Sequence, residues 1–240
     1  MKLLYREKKI ESGVFQMIKS EVLSSRKEIE KKKAYFRSKD IISTLPDYMA
    51  DGTDHSFFHL RGSARNGKKY YDDLEFVDDP IFLESFPQLY SFLENFATEK
   101  KSIVGRVCIM FLSSKQLFKP HIDRGDFYMV HRRYHLVIQT NGSRMYSAHQ
   151  KALFQDGDLF YLNNRELHTG DREDSPTERI HIIIDLLPST SMGLLKVFGE
   201  WFICSGKYKH LYKLSLISRI KKITVLPKAY YLANSSENRR

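Results

Sequence analysis

The sequence predicts a mainly β protein with flanking helices, its core a β-sandwich or jelly roll. Three observations lead there. From about Val104 the chain breaks into short runs rich in β-branched and aromatic residues. Turn formers separate those runs, as at Asp156-Gly157. Ahead of them lie two stretches with apolar residues at helical spacing, suited to cover one face of a sheet.

Taken in order, residues 14–39 open with Val14, Phe15, Ile18, Val22 and Leu23 at spacings of three and four, which predicts an amphipathic helix. From Glu28 the run turns to charge (Glu-Ile-Glu-Lys-Lys-Lys) and is read as a solvated helix face. Residues 40–72 hold Pro46, Asp51-Gly52, Gly62 and Asn66-Gly67 and are read as irregular, with Asn66-Gly67 able to close a hairpin. Residues 80–97 put Phe82, Phe86, Leu89, Phe92, Leu93 and Phe96 on one side of a helix laid on the sheet. Strands are expected at 104–112, 134–140, 144–148, 158–162 and 179–187. Met192–Cys204 is expected to be helical and Leu211–Leu226 loosely so, with Pro227 breaking the pattern. The expected organisation is one compact domain, with 1–103 a helical and irregular segment packed on the core, 104–188 the core, and 189–240 a basic helical extension.

Composition narrows the function classes. The 240 residues are 42% hydrophobic and 13% aromatic, which suits a globular chain and not a disordered one. Two cysteines, Cys108 and Cys204, form no CxxC pair and no disulfide framework. The N-terminus turns charged after a few residues, and no apolar run reaches the ~18 residues of a membrane span. A soluble, cytoplasmic protein is therefore expected. The net charge of +10 is concentrated in residues 205–240, where nine Lys and Arg face one Glu. The rest of the chain is nearly neutral, so any nucleic-acid or membrane contact has to rest on the tail. Nucleic-acid binding is not expected, because the tail carries no recognised motif. Residues 207–228 interleave lysines with Leu, Ile and Tyr and offer peripheral contact with a membrane surface.

The chemistry gathers around His121-Ile122-Asp123. Residues two apart on a strand point to one face, so an imidazole and a carboxylate so placed can bind one metal ion together. Pro120 cannot donate to a ladder, which suits a strand end. His168 lies 47 residues on, just past another strand, and a jelly roll can bring the two strand ends together. Two imidazoles and one carboxylate can cap one face of Fe(II) and leave the other open for oxygen chemistry. Arg179 opens the last apolar strand and shares its face with His181, while Arg133 shares its face with His135. An Arg at such a mouth either reaches water or waits for an anionic ligand. His55, His59 and Arg61, in the irregular segment, and His181 are candidates for substrate contacts. His131 is read as a surface loop residue and His149 as a turn residue.

Four ordered blocks carry a resemblance: Lys119 to Asp123, Arg132 to Ile138, Gly157 to His168, and Glu178 to Asp185. Together they resemble the aspartyl/asparaginyl β-hydroxylase family of Fe(II)/2-oxoglutarate dioxygenases, over roughly residues 104–188. The resemblance implies a double-stranded β-helix (jelly-roll, cupin-like) core. It implies Fe(II), 2-oxoglutarate and O2 as cofactor and cosubstrates. His121, Asp123 and His168 match the iron ligands, Arg179 the residue that pairs with the distal carboxylate of 2-oxoglutarate, and Arg133 and His135 an Arg-x-His pair that helps hold the cosubstrate. Some members lack the carboxylate ligand. Asp123 is present, which departs from the aspartyl hydroxylases proper and argues against halogenation. The implied reaction hydroxylates an unactivated C–H of a small molecule or an amino-acid residue, releasing succinate and CO2. Two other readings stay open, the same chemistry on a lipid at a membrane surface and a non-catalytic metal-binding jelly-roll module.

Overall fold

The computed structural model describes residues 3–31, 57–63, 76–112, 120–125, 127–140, 142, 144–170, 177–208, 210 and 215–235. Among the described residues, ten strands build two antiparallel sheets: β1 (Leu4–Lys9), β2 (Phe57–Ser63), β3 (Phe76–Asp78), β4 (Ser102–Leu112), β5 (Arg132–Gln139), β6 (Arg144–Ser147), β7 (Gln150–Leu153), β8 (Asp158–Leu162), β9 (His168–Gly170) and β10 (Arg179–Pro188). The larger sheet has the order β1-β8-β5-β10-β4-β2-β3 and the smaller β7-β6-β9. His121 joins the smaller sheet through an isolated bridge to His168. From β4 onward the chain crosses between the sheets, from β4 to His121, back to β5, over to β6 and β7, back to β8, over to β9, and back to β10. That alternating winding is a jelly roll, or double-stranded β-helix, so the core is mainly β with flanking helices.

Strand alternation sorts the side chains of the larger sheet. Ile180, Ile182, Ile184 and Leu186 of β10 fall in one apolar cluster with Val107, Ile109 and Phe111 of β4 and Tyr134, Leu136 and Ile138 of β5. Phe15, Ile18 and Val22 of helix Ser12–Ser24 and Leu89, Leu93 and Phe96 of helix Pro87–Glu99 complete that cluster. Each Ile buried there contributes about 1.5–3 kcal/mol. The opposite face carries Arg106, Cys108 and Met110, then Arg133 and His135, then Arg179 and Ile183, and it lines a cavity.

Helix starts follow local chemistry. Glu11 accepts hydrogen bonds from the Gly13 and Val14 amides, Asp79 from Ile81, and Thr190 from Gly193. The expected helix at 80–97 is two helices, Pro80–Ser85 and Pro87–Glu99. Phe86 precedes Pro87, and the proline ring disfavours helical backbone at that residue, which sits at φ −130°. Phe82, Phe86, Leu89, Leu93 and Phe96 nonetheless face the core together. Pro227 does not end the C-terminal helix. It is the third residue of helix Val225–Asn234, inside the first turn where its missing N–H has no helical partner to lose.

Residues before 104 supply three strands where helices and irregular chain were expected. β1 is Leu-Tyr-Arg-Glu-Lys-Lys, whose charged side chains are tolerated because it lies at a sheet edge. β2 falls inside the stretch read as irregular. Asn66-Gly67 and the charged residues beyond Lys31 lie outside the described residues.

Candidate metal centre

The metal-ligand candidates are assembled by backbone pairing before any side chain acts. His121 N donates to His168 O at 3.0 Å, and His168 N returns the bond to His121 O at 2.9 Å. Asp123 N donates to Asn164 O at 2.9 Å. Buried Arg165 secures the loop from the other side, its Nε donating to Tyr128 O at 2.8 Å and its Nη2 to His131 O. The result brings one ligand atom each from His121, Asp123 and His168 within 4.8 Å of one another. The His121 and His168 rings have centroids 4.4 Å apart.

The orientation of each group suits metal ligation. His168 Nδ1 lies 2.9 Å from Glu166 O, which can only accept, so Nδ1 carries the hydrogen and Nε2 presents its lone pair. Burial, with the neighbouring His121 adding to it, lowers the His168 pKa to about 4, so the imidazole is neutral at pH 7 and ready to ligate. Asp123 Oδ2 accepts from Arg133 Nη1 at 2.5 Å and from Asn164 Nδ2 at 2.8 Å. Its other oxygen, Oδ1, stands 3.7 Å from His121 Nε2. Burial pushes the Asp123 carboxyl up, but Arg133 and the two imidazoles hold it below the usual carboxylate range. Two imidazoles and one carboxylate fit a divalent transition metal, with one carboxylate oxygen held by protein donors.

Arg133 is tied to a second acid. Its Nε and Nη2 donate to Asp185 at 2.8 and 2.9 Å. Arg106 reaches Asp185 Oδ2 at 3.1 Å and donates to the Tyr128 hydroxyl at 2.9 Å. Burial raises the Asp185 carboxyl, and the two guanidiniums overcome it and hold the group well below the usual range. Arg133, His135 and Arg179 all line the cavity with the three ligand candidates. His135 Nε2 is buried there without a hydrogen-bond partner. Arg179 packs against Gly170, where a Cβ would stand 2.5 Å from Arg179 Nη1, so only glycine leaves the guanidinium its place. An anionic cosubstrate with several oxygens fits this wall of Arg and His donors.

No family model and no curated protein matches the chain. Solved structures match it in shape over part of its length. AviO1 from Streptomyces viridochromogenes Tue57 is 9% identical with a TM-score of 0.44, covering 77% of this chain and 89% of that one. An oxidoreductase of the 2OG-Fe(II) oxygenase family from Burkholderia pseudomallei is 12% identical with a TM-score of 0.40, covering 63% and 77%. AerE from Microcystis aeruginosa is 18% identical with a TM-score of 0.28, and the match spans 36% of this chain and only 39% of AerE.

The substrate-contact candidates scatter. His59 lines the cavity. Arg61 does not; its Nη1 pairs with Asp78 at 3.0 Å on the neighbouring strand. His181 is buried behind the lining, its Nδ1 3.4 Å from His135 Nδ1 and its ring edge-on to Phe160. His55 lies outside the described residues. His131 is no surface residue: it is 1% exposed, stacks on Phe127 at 3.8 Å, and donates Nδ1–H to Phe127 O at 2.7 Å. It follows the helical turn Phe127–Val130, whose four apolar residues are all buried and carry it inward. His149 is an exposed turn residue, as expected.

Asp185, Arg106, Tyr128 and Asn164 were not singled out from the sequence. Asp185 had a signal, a lone acid in a nearly continuous Ile and Leu strand on the face of Arg179 and Ile183. Arg106 had the same signal in Val104–Leu112. Cys108 also lines the cavity, and burial pushes its thiol up to about 12, which makes it a neutral wall group and not a nucleophile.

Proposed function

We propose that the protein is an Fe(II)- and 2-oxoglutarate-dependent oxygenase that hydroxylates a C–H bond of a small molecule or of an exposed amino-acid residue. The observation that carries the reading is the meeting of His121, Asp123 and His168 on the cavity wall, where the bridge from His121 meets the start of β9. These three would hold the iron. Arg179 would take the distal carboxylate of 2-oxoglutarate, with His135 Nε2 donating alongside. Arg133 positions Asp123 Oδ2 and lines the same cavity. Fe(II) held there would supply, with 2-oxoglutarate and O2, the oxidising power for the C–H bond. The chain's own part is to fix the ligands, hold the cosubstrate and shelter the reacting carbon behind Phe57, Met110, Met145 and Ile183. The four sequence blocks favour a relationship to the aspartyl/asparaginyl β-hydroxylases, and Asp123 favours hydroxylation over halogenation.

The test is anaerobic. Fe(II) and 2-oxoglutarate added to the protein should produce a visible metal-to-ligand charge-transfer band, and His121→Ala should lose it. With oxygen, succinate should form. A folded protein that shows no band would overturn the site, and a band without succinate under any substrate screen would leave a metal-binding jelly-roll module instead.

A further inference from the structure

The tail contributes a surface that the oxygenase reading does not use. Helix Leu216–Lys221, the 3-10 turn Lys222–Thr224 and helix Val225–Asn234 follow one another directly along the chain. Helix Leu216–Lys221 buries none of its residues. Leu216, Ile217, Ile220 and Ile223 are 56%, 67%, 55% and 53% exposed, and Tyr231 further along is 72% exposed. At positions 216, 220, 223 and 231 these side chains recur at helical spacing, so they form a stripe and not a scatter. A second stripe stands beside it on helix Ser191–Lys207, where Met192, Leu195 and Ile203 are 76%, 51% and 64% exposed. The two helices are tied together, since Arg219 Nη1 donates to Phe202 O at 3.0 Å. Leu194, Val197, Phe198, Trp201, Leu232 and Ala233 are buried, so helices Ser191–Lys207 and Val225–Asn234 are docked on the domain while their outer apolar side chains stay bare among the described residues.

The charge around this face selects its partner. Between Trp201 and Ser236 the sequence contains no Asp or Glu. Lys221 and Lys228 are exposed beside the stripe, and Lys222 is half-buried in it. A second copy docked on the same patch about a two-fold axis would bring these lysines against each other. A bilayer with anionic headgroups takes both features, aliphatic side chains at the acyl boundary and ammonium groups among phosphates. No helix among the described residues is long and apolar enough to cross a membrane.

We infer that the face formed by Leu216, Ile217, Ile220 and Ile223 with Lys221, Lys222 and Lys228 docks the protein on an anionic lipid surface. Point variants test this better than a truncation after Gly206. Lys207 and Tyr208 bind the buried Glu166 carboxylate at 2.8 and 2.7 Å, so removing the tail would disturb the turn that orients His168.

The experiment is sedimentation of the full chain with vesicles of phosphatidylcholine alone and of equimolar phosphatidylcholine and phosphatidylglycerol. The chain should pellet with the mixed vesicles and remain in solution with the neutral ones. Replacing Lys221, Lys222 and Lys228 by Gln should weaken binding on the order of a hundredfold, at roughly 1 kcal/mol per lysine. Ile217→Asp with Ile220→Asp should abolish it, while the circular dichroism spectrum and melting temperature stay those of the parent. Two results overturn the inference: a parent chain that binds neither vesicle, or binding that both sets of variants leave unchanged. Light scattering gives a third. If the parent is a dimer and the aspartate variant a monomer, the face belongs to a second copy.

Discussion

Both carboxylate oxygens of Asp185 hold Arg133, at 2.8 Å to Nε and 2.9 Å to Nη2, from the strand next to the one that carries the arginine. Arg106 leans on the same carboxylate at 3.1 Å, so one buried acid serves two buried guanidiniums. Asp185→Asn keeps the shape and removes the charge. The variant should lose about 3–5 kcal/mol of stability, because it strands buried cations. Urea unfolding would show this as a lower midpoint at unchanged slope. A loss below about 1 kcal/mol would mean that the pair contributes little.

The Asn164 side chain reaches the proposed metal site through Nδ2, which donates to Asp123 Oδ2 at 2.8 Å, while its backbone oxygen separately accepts from Asp123 N. Asn164→Ala leaves all three ligands in place and loosens one of them. Iron affinity should fall roughly 10- to 100-fold, the usual range for groups that orient a ligand. Fe(II) titration under nitrogen checks it, and an unchanged affinity would remove Asn164 from the ligand-orienting role.

Gly170 leaves room for Arg179, and a Cβ at 2.5 Å from Nη1 would displace the guanidinium. Gly170→Ala and Arg179→Lys should therefore share a phenotype. Each should weaken 2-oxoglutarate binding by roughly ten- to hundredfold, the worth of one or two charge-assisted hydrogen bonds, while iron binding persists. Isothermal titration with each ligand separates the two effects. Equal loss of iron binding would show that the substitutions disturb the whole site.

Burial lowers His131 and His168 to about 4. In the unfolded chain a histidine titrates near ~6.5, so between that pH and ~4 the unfolded state carries protons that the native state refuses. Stability of the metal-free protein is fully present above pH ~6.5 and falls as pH drops through this window, by up to about 1.4 kcal/mol per pH unit for each histidine. His131→Phe removes one contribution and should flatten the curve. Unfolding free energies from pH 7 to 4 measure it, and a parallel curve for the variant would exclude His131 as a source.

What the sequence revealed depended on where each residue's signal was local. The inner and outer faces of β10 follow from alternation alone, because Ile180, Ile182 and Ile184 interleave with Arg179, His181 and Ile183. His121, Asp123 and His168 were legible because their blocks kept order and because a jelly roll joins strand ends. The network beneath them was not. Arg106 meets Asp185 across 79 residues, and only strand register decides that a lone acid and a lone base face each other. β1 escaped notice because Arg6, Glu7, Lys8 and Lys9 have no strand pattern of their own; they are held by the partner strand and solvated at the edge. His131 misled because the loop around it is short and its apolar neighbours carry it inside.

The pairing of β1 with β8 bears on synthesis. Leu4 lies opposite Leu162, so β1 cannot complete its ladder until β8, far along the chain, has been made. Until then β1 is loose, and its Arg, Glu and Lys side chains keep it from pairing with neighbouring nascent chains. The sheet closes late, across a long loop, which makes this a slowly folding β topology. The charges that hid the strand from view are thus the same ones that protect it while it waits.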